Sequence, residues 1–294
     1  LGILCGDVEV YVPCPAVYLD IALFINRPGW TAMCLIAWNW QPDSPTPLIL
    51  LSNRDEFHAR PVRALHWWDA TADGRRILAG KDLQAGGTWL GVSQHGRLAA
   101  LTNYRNAEVV RTDTPSRGEL VTEFLQSTLS SAEFLESLAG RAGGYNPFNL
   151  LVYDGRQLMG LHSPTPHILT LKPGVGGVSN ANFNTPWPKL TSLTRELEMR
   201  IAQQQTDSAN LLALLHDSSL AADADLPQTG VPVALERMLS SIFVASVNYG
   251  TRASSLVTLH SSHAEFHEQT FGPAGLTDTN RPVTVQRWTY PSSK

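Results

Sequence analysis

The chain has 294 residues, 43% of them hydrophobic and 16% charged, and a formal net charge of -4. That is a globular composition with room for one large domain or two small ones. There is no basic block, which argues against nucleic acid as a partner, and no apolar run of about 18 residues, which argues against a membrane span.

The cysteines are Cys5, Cys14 and Cys34. None follows Cys34, so the bulk of the chain folds without disulfide staples. This suits a reducing compartment, with the cytoplasm as the expected location, or a fold that needs no staples. Cys5 and Cys14 are free to pair with each other. Residues 1–32 read unlike the rest. The chain opens on Leu1, and the apolar run from Val17 to Ile25 is interrupted by Asp20 and preceded by no basic residue, unlike a secretory signal. The expectation is that residues 1–32 are an upstream extension outside the native fold, with translation beginning at Met33, and that residues 33–294 form a single domain. A propeptide removed to expose Cys34 and an ordinary N-terminal element are the other two readings.

From Met33 to Trp38 runs a short apolar strand with a cysteine as its second residue. The segment from Gln41 to Pro47 carries Pro42, Pro45 and Pro47 and marks a turn. The apolar run Leu48–Leu51 then delivers Ser52-Asn53-Arg54-Asp55-Glu56. This reads as strand, turn, antiparallel strand. A hairpin symmetric about Ser44 sets Cys34 opposite Arg54, with Cβ atoms about 5 Å apart.

Further along, 64–68 and 76–79 read as short strands, and 86–105 as a hairpin turning at Gly96. Ser116-Arg117-Gly118-Glu119 fits a capping box, opening a helix on Leu120, Phe124 and Leu125, and a second helix follows at 132–139. Residues 148–153 and 157–162 form a hairpin around Asp154-Gly155, 167–172 is a strand, and 173–180 is a glycine-rich loop. Leu190, Leu193, Leu197 and Ile201 recur at helical spacing in a helix over 186–203. Helices at 210–216 and 232–240 and strands at 253–260, 265–270 and 283–289 complete the chain. Antiparallel hairpins with helices grouped between them predict an α+β layered fold. No G-x-G-x-x-G or G-K-[ST] pattern points to a nucleotide.

Five places carry polar groups suited to chemistry. A lone cysteine on an apolar strand is usually packing, but Cys34 directly follows Met33. Removal of that methionine would leave a thiol and an α-amine on one residue, and the amine, with a pKa of about 8, can accept the thiol proton. Asn53, Arg54, Asp55 and Glu56 end the next strand. Arg54 would favour the thiolate or hold a substrate carboxylate, Asp55 would orient the amine, and only one of Asp55 and Glu56 can face Cys34 if the strand is extended. Asn103, followed by Tyr104, can donate to an oxyanion. The asparagine-rich stretch around Asn180 lies beside the glycine-rich loop. Arg252, in a tight turn, is a candidate anion clamp. His260, His263 and His267 lie on a strand pair that points His260 and His263 apart, so no metal site is expected.

With these pieces in place the chain resembles the NRDE family, whose members include transport and Golgi organisation proteins. The resemblance is carried by Met33-Cys34-Leu35-Ile36, Asn53-Arg54-Asp55-Glu56, Gly87-Thr88-Trp89-Leu90-Gly91, Thr102-Asn103-Tyr104-Arg105, Pro147-Phe148-Asn149-Leu150-Leu151, Ser179-Asn180, Thr185-Pro186-Trp187-Pro188-Lys189 and Tyr249-Gly250-Thr251-Arg252. It implies a four-layer αββα sandwich of N-terminal-nucleophile hydrolase type, two antiparallel sheets between helical layers. It also implies kinship with acylases that cleave an amide with an N-terminal cysteine. Carried over, Cys34 is the nucleophile with its amine as base. Arg54, Asp55, Asn103 and Asn180 complete the catalytic set, and Asn53, Glu56, Tyr104 and Arg252 line the substrate. In the acylases the arginine and aspartate are separated, whereas Arg54 and Asp55 are adjacent here. The function implied is hydrolysis of a C–N amide bond in a small acylated substrate, without cofactor. The alternative is a non-enzymatic carrier of haem or lipid, taking an apolar ligand in the same cleft.

Overall fold

The computed structural model describes residues 33–105, 111–278 and 282–291. The expectations for residues 1–32, including a Cys5–Cys14 pairing, lie outside the described residues. The strands are β1 (Met33–Trp40), β2 (Leu48–Phe57), β3 (Val62–Trp67), β4 (Ile77–Asp82), β5 (Leu90–Ser93), β6 (Leu98–Asn103), β7 (Phe148–Tyr153), β8 (Leu158–His162), β9 (His167–Thr170), β10 (Gly174–Val178), β11 (Tyr249–Leu259), β12 (His263–Thr270) and β13 (Thr284–Thr289). The α-helices are α1 (Gly118–Gln126), α2 (Ser131–Ala139), α3 (Pro188–Ala202), α4 (Ser208–Ala213) and α5 (Val233–Met238).

Among the described residues the strands form two sheets. One has the order β10-β1-β2-β11-β12-β13, and the other runs from β3 to β9 in sequence. Alternation along β1 and β2 decides the layering. Ile36, Trp38, Leu48 and Leu50 enter the gap between the sheets and cluster with Leu78, Leu90, Val92 and Leu151. Leu35, Ala37, Ile49 and Leu51 point the other way, to Leu190, Leu193 and Leu197 of α3 and Leu211 of α4. On the far side, Leu120, Phe124, Phe134 and Leu138 of α1 and α2 cover Ala79, Leu101 and Val152 of the second sheet. The result is a four-layer αββα sandwich. Leu235 and Leu239 cluster with Met33, placing α5 at the start of β1. Among the described residues, no helix is long and apolar enough to cross a membrane.

Two local expectations are corrected. Ser116 does not cap α1, whose N-cap is Arg117 without a side-chain cap bond. Glu119 instead accepts from the Tyr145 hydroxyl at 2.6 Å, so it cannot reach back to close a capping box. The reciprocal box lies at Ser130 and Glu133, opening α2. Nor is 173–180 a loop throughout, because Gly174–Val178 is β10, paired along β1 with Ala37 opposite Gly177 and Trp38 opposite Gly176. A Cβ at Gly176 would lie 2.6 Å from the Trp38 ring, and one at Gly177 would lie 2.5 Å from Leu190 Cδ1. These glycines permit close approach rather than a turn.

Candidate active site

The β1–β2 hairpin has the expected register, with Cys34 opposite Arg54, Leu35 opposite Asn53 and Met33 opposite Asp55. The period of two then sorts the polar run. Arg54 and Glu56 share the inter-sheet face with Cys34, while Asn53 and Asp55 face the helical layer. Cys34 is only 5% exposed, yet it lines a cleft of about 450 Å³ at the end of the inter-sheet gap, together with Arg54, Glu56, Asp82, Trp89, Asn103 and Arg117.

Arg54 is held from several directions. Its guanidinium lies over the Trp89 ring, 4.3 Å from the centroid. Nη2 approaches Glu56 at 3.4 Å and Asp82 at 3.5 Å, and Nη1 is buried without a hydrogen-bond partner. Arg60 bridges the same two carboxylates, at 3.5 Å from Glu56 and 2.7 Å from Asp82. Asp82 also accepts from the backbone N–H groups of Gln84 and Ala85, fixing the turn after β4. Burial pushes the Cys34 thiol up to about 12, reinforced by the Asp55 and Glu56 charges, while Arg54 and the Asp55 backbone N–H pull it down. With Met33 still joined to it, Cys34 is therefore a protonated thiol at neutral pH.

Asp55 is fully buried on the opposite face. Its Oδ1 accepts from Thr251 Oγ1 at 2.7 Å, and Oδ2 has no partner. Burial pushes its carboxyl up to about 6, against the lowering effects of Lys189, Thr251, Arg105 and Arg54. Lys189 is buried with Nζ unpartnered and is pushed down to about 8, chiefly by burial. Arg105, stacked on Trp187 at 4.7 Å, pairs with Glu236 at 2.5 Å. A buried charged cluster thus lies beneath the start of β1, and Met33 N donates to Tyr249 Oη at 2.8 Å beside it.

The remaining expected residues divide between cleft and frame. Asn103 reaches the cleft wall. Asn180 lies behind it, where its Nδ2 donates to the Asn103 carbonyl at 2.8 Å, and the single Ser179 hydroxyl proton is within reach of both Asn180 Oδ1 and the Cys34 carbonyl, each 3.2 Å from Oγ. Asn180 therefore braces the end of one sheet against the other. Three residues expected at the substrate lie outside the cleft lining. Asn53 is fully buried, donating to the carbonyls of Leu215 and Ile242 and accepting from Ser254. Tyr104 packs edge-on against His162 with ring centroids 5.2 Å apart, away from the cleft lining. Arg252 donates to the carbonyls of Phe57, His58 and Phe271, tying down the segment after β2, and does not line the cleft.

Arg60, Asp82 and Arg117 join the site without being singled out by the sequence pattern, and so does Trp89, which the sequence offers only as part of the motif Gly87-Thr88-Trp89-Leu90-Gly91. For Arg117 that pattern draws attention to its neighbours Ser116 and Glu119 as a cap. The histidines also depart from expectation. His260 and His263 do not point apart, because both lie at the tight turn from β11 to β12 and their rings stack 4.1 Å apart. With Glu265 they bring possible ligand atoms within 4.8 Å of one another. The carboxylate, however, is already engaged by Arg287 at 2.7 Å and His267 at 3.2 Å.

Among solved structures, a mutant form of conjugated bile acid hydrolase from Clostridium perfringens superposes with a TM-score of 0.48 at 10% identity, covering 89% of this chain and 97% of that one. An N-acylethanolamine-hydrolyzing acid amidase ortholog from Caenorhabditis elegans superposes at 0.45 and 10% identity, covering 76% and 92%. The Transport and Golgi organization protein 2 homolog of Bos taurus is 34% identical and that of Homo sapiens 33%, each over 81% of this chain and 92% of the relative. The model of the family described as Transport and Golgi organisation 2 matches residues 33–273, and the chain belongs to that family.

Proposed function

We propose that the protein is a cysteine-dependent amidohydrolase of the N-terminal-nucleophile type, acting on a small acylated substrate. The observation that carries this reading is the placement of Cys34 directly across from Arg54 at the end of the inter-sheet gap, facing a cleft walled by Asn103. In this reading the chain is opened between Met33 and Cys34. The new α-amine then lies next to Asp55, the strand partner of Met33.

The neutral amine takes the thiol proton, and the thiolate adds to the substrate carbonyl. Asn103 donates to the oxyanion. The C–N bond breaks as the amine's proton passes to the leaving nitrogen, leaving a thioester on Cys34. Water, deprotonated by the same amine, cleaves that thioester and restores the thiol. Arg54 stabilises the sulfur anion at each stage, and Glu56 and Asp82 hold Arg54 in place. A carrier of an apolar ligand fits less well, since such sites are lined mainly by apolar side chains and this one is walled by guanidinium and carboxylate groups.

The test is a chain beginning at Met33, checked by mass spectrometry for methionine removal and screened against a broad set of amides. The expected result is hydrolysis through an acyl adduct on Cys34, abolished by Cys34→Ala with the fold intact. A chain with a free Cys34 amine that forms no adduct with any amide or ester overturns the reading.

A further inference from the structure

We infer that the cleft is built for acidic substrates: the molecule cleaved at Cys34 carries a carboxylate or phosphate, seated between Arg117 at the start of α1 and the unpartnered edge of Arg54. This deepens the proposed function and rests on the Cys34 cleft being the substrate site.

The charge balance of the cleft is the first observation. Among the described residues its lining holds four guanidinium groups, Arg54, Arg60, Arg111 and Arg117, against two carboxylates, Glu56 and Asp82. It is net positive on a chain whose overall charge is -4. The two carboxylates are also spent locally, since both are held by Arg54 and Arg60. Arg111 and Arg117 form no ion pair among the described residues. Arg111 binds the Tyr145 carbonyl, and Arg117 donates Nη1 to the Pro147 carbonyl at 3.0 Å. Arg111 is exposed and Arg117 half-buried, so both remain open to an anion entering the cleft, which would complete the pairing that a neutral carbonyl leaves unmade.

Arg54 supplies the second observation. It is only 4% exposed, and Nη1 is buried with nothing to bond. The third is how firmly Arg117 is set. Gly87 presses on the first residue of α1, where a Cβ would lie 2.5 Å from the Gly118 carbonyl carbon, and Thr88 N–H donates to the Gly118 carbonyl at 3.2 Å. That contact sets the N-terminus of α1 against the segment that leads through Trp89 into β5, and Arg54 stacks on Trp89. Two guanidinium groups thereby line the same cleft as the sulfur, an arrangement suited to an anion.

The experiment uses Cys34 itself as reporter. Its alkylation by iodoacetate, an anion, and by iodoacetamide, the neutral isostere, is followed by mass spectrometry of the Cys34 peptide. Thiolate content affects both rates alike and cancels in their ratio, so the ratio reports anion binding alone. The ratio is expected to exceed that of N-acetylcysteine amide, a thiol with no carboxylate of its own, by about fivefold, the effect of one unit charge at contact in water. It should fall toward the free-thiol value in Arg117→Gln and be largely kept in Arg117→Lys. On the unmodified protein, acetate or inorganic phosphate should slow iodoacetate more than iodoacetamide, and the better competitor identifies the anion. A ratio equal to that of the free thiol, a ratio untouched by Arg117→Gln, or no competition by either anion overturns the inference. Alkylation needs no turnover. A raised ratio on a protein that hydrolyses nothing would therefore sink the hydrolase reading and leave the anion site standing.

Discussion

Replacing Arg54 by methionine tests whether the cross-strand guanidinium makes Cys34 a nucleophile. Directly opposed strand residues have Cβ atoms about 5 Å apart. At that separation two unit charges interact by about 3 kcal/mol at an effective dielectric of 20, and by less than about 1 kcal/mol in water. Arg54 shares its charge with Glu56 at 3.4 Å and Asp82 at 3.5 Å, so part of its field is already compensated. A loss of about 1–2 kcal/mol of thiolate stabilisation is expected, which makes Cys34 alkylation by iodoacetamide at fixed pH roughly 5- to 30-fold slower. Arg54→Lys keeps the charge but not the planar stacking on Trp89, and should fall between the two. The assay is the pseudo-first-order rate on the Cys34 peptide, with thermal unfolding confirming that each variant is folded. An unchanged or faster rate in Arg54→Met would refute the coupling.

The other predictions concern the frame around that pair. Glu56→Gln removes a charge that raises the Cys34 thiol, so alkylation should accelerate; a slower rate in a folded variant would mean that Glu56 acts mainly by holding Arg54. Gly87→Ala drives a methyl group into the Gly118 backbone, which cannot yield as a flexible side chain would, and should cost about 1–3 kcal/mol in urea unfolding; no loss would show that the α1 start is free to shift. For Asp55, the folded state raises the carboxyl from its ordinary 3.8 to about 6 and so binds the proton more tightly than the unfolded chain does. Its contribution is therefore present below about pH 4 and is lost as pH rises through about 6. Asp55→Asn should flatten stability across that window, and an unchanged pH slope in urea titrations at pH 4 to 6.5 would contradict the assignment.

Much of the layout was legible because it depends on short-range rules. The prolines between Met33 and Glu56 mark a hairpin, and its length sets the register that puts Cys34 opposite Arg54. The alternation of Leu48–Leu51 and the Leu190, Leu193, Leu197 spacing identify the central strands and the covering helix. What was not legible depends on contacts between distant segments. The glycines of β10 suggest a turn until Trp38 and Leu190 are seen pressing on them. Ser116 and Glu119 match a cap, but Tyr145 takes the glutamate. Arg252 and Asn53 have the right chemistry for a substrate but spend it on backbone carbonyls of remote loops. Arg117 lines the cleft from the start of α1, which packs against Gly87 and Thr88, and no local pattern around Arg117 reveals that packing.

The adjacency of Arg54 and Asp55 acquires a physical explanation from the same geometry. Neighbouring strand residues cannot act on the same side of a sheet, so this pair cannot be a single ion-pair device at the sulfur. The run Asn53-Arg54-Asp55-Glu56 is divided between two layers. Arg54 and Glu56 set the field in the cleft. Asn53 secures the loops at Leu215 and Ile242, and Asp55 meets Thr251, with Lys189 and Arg105 acting on its charge. Because Cys34 and Met33 alternate in the same way, the thiol side chain faces the first pair while the Met33 side chain lies on the face of Asp55. A proton moving from sulfur to α-amine in the proposed reaction therefore passes from the Arg54 side of the sheet toward the Asp55 side. Shifting the register of β2 by one residue would set either Asp55 or Asn53 opposite Cys34, and in both cases the guanidinium would leave the face that the sulfur occupies.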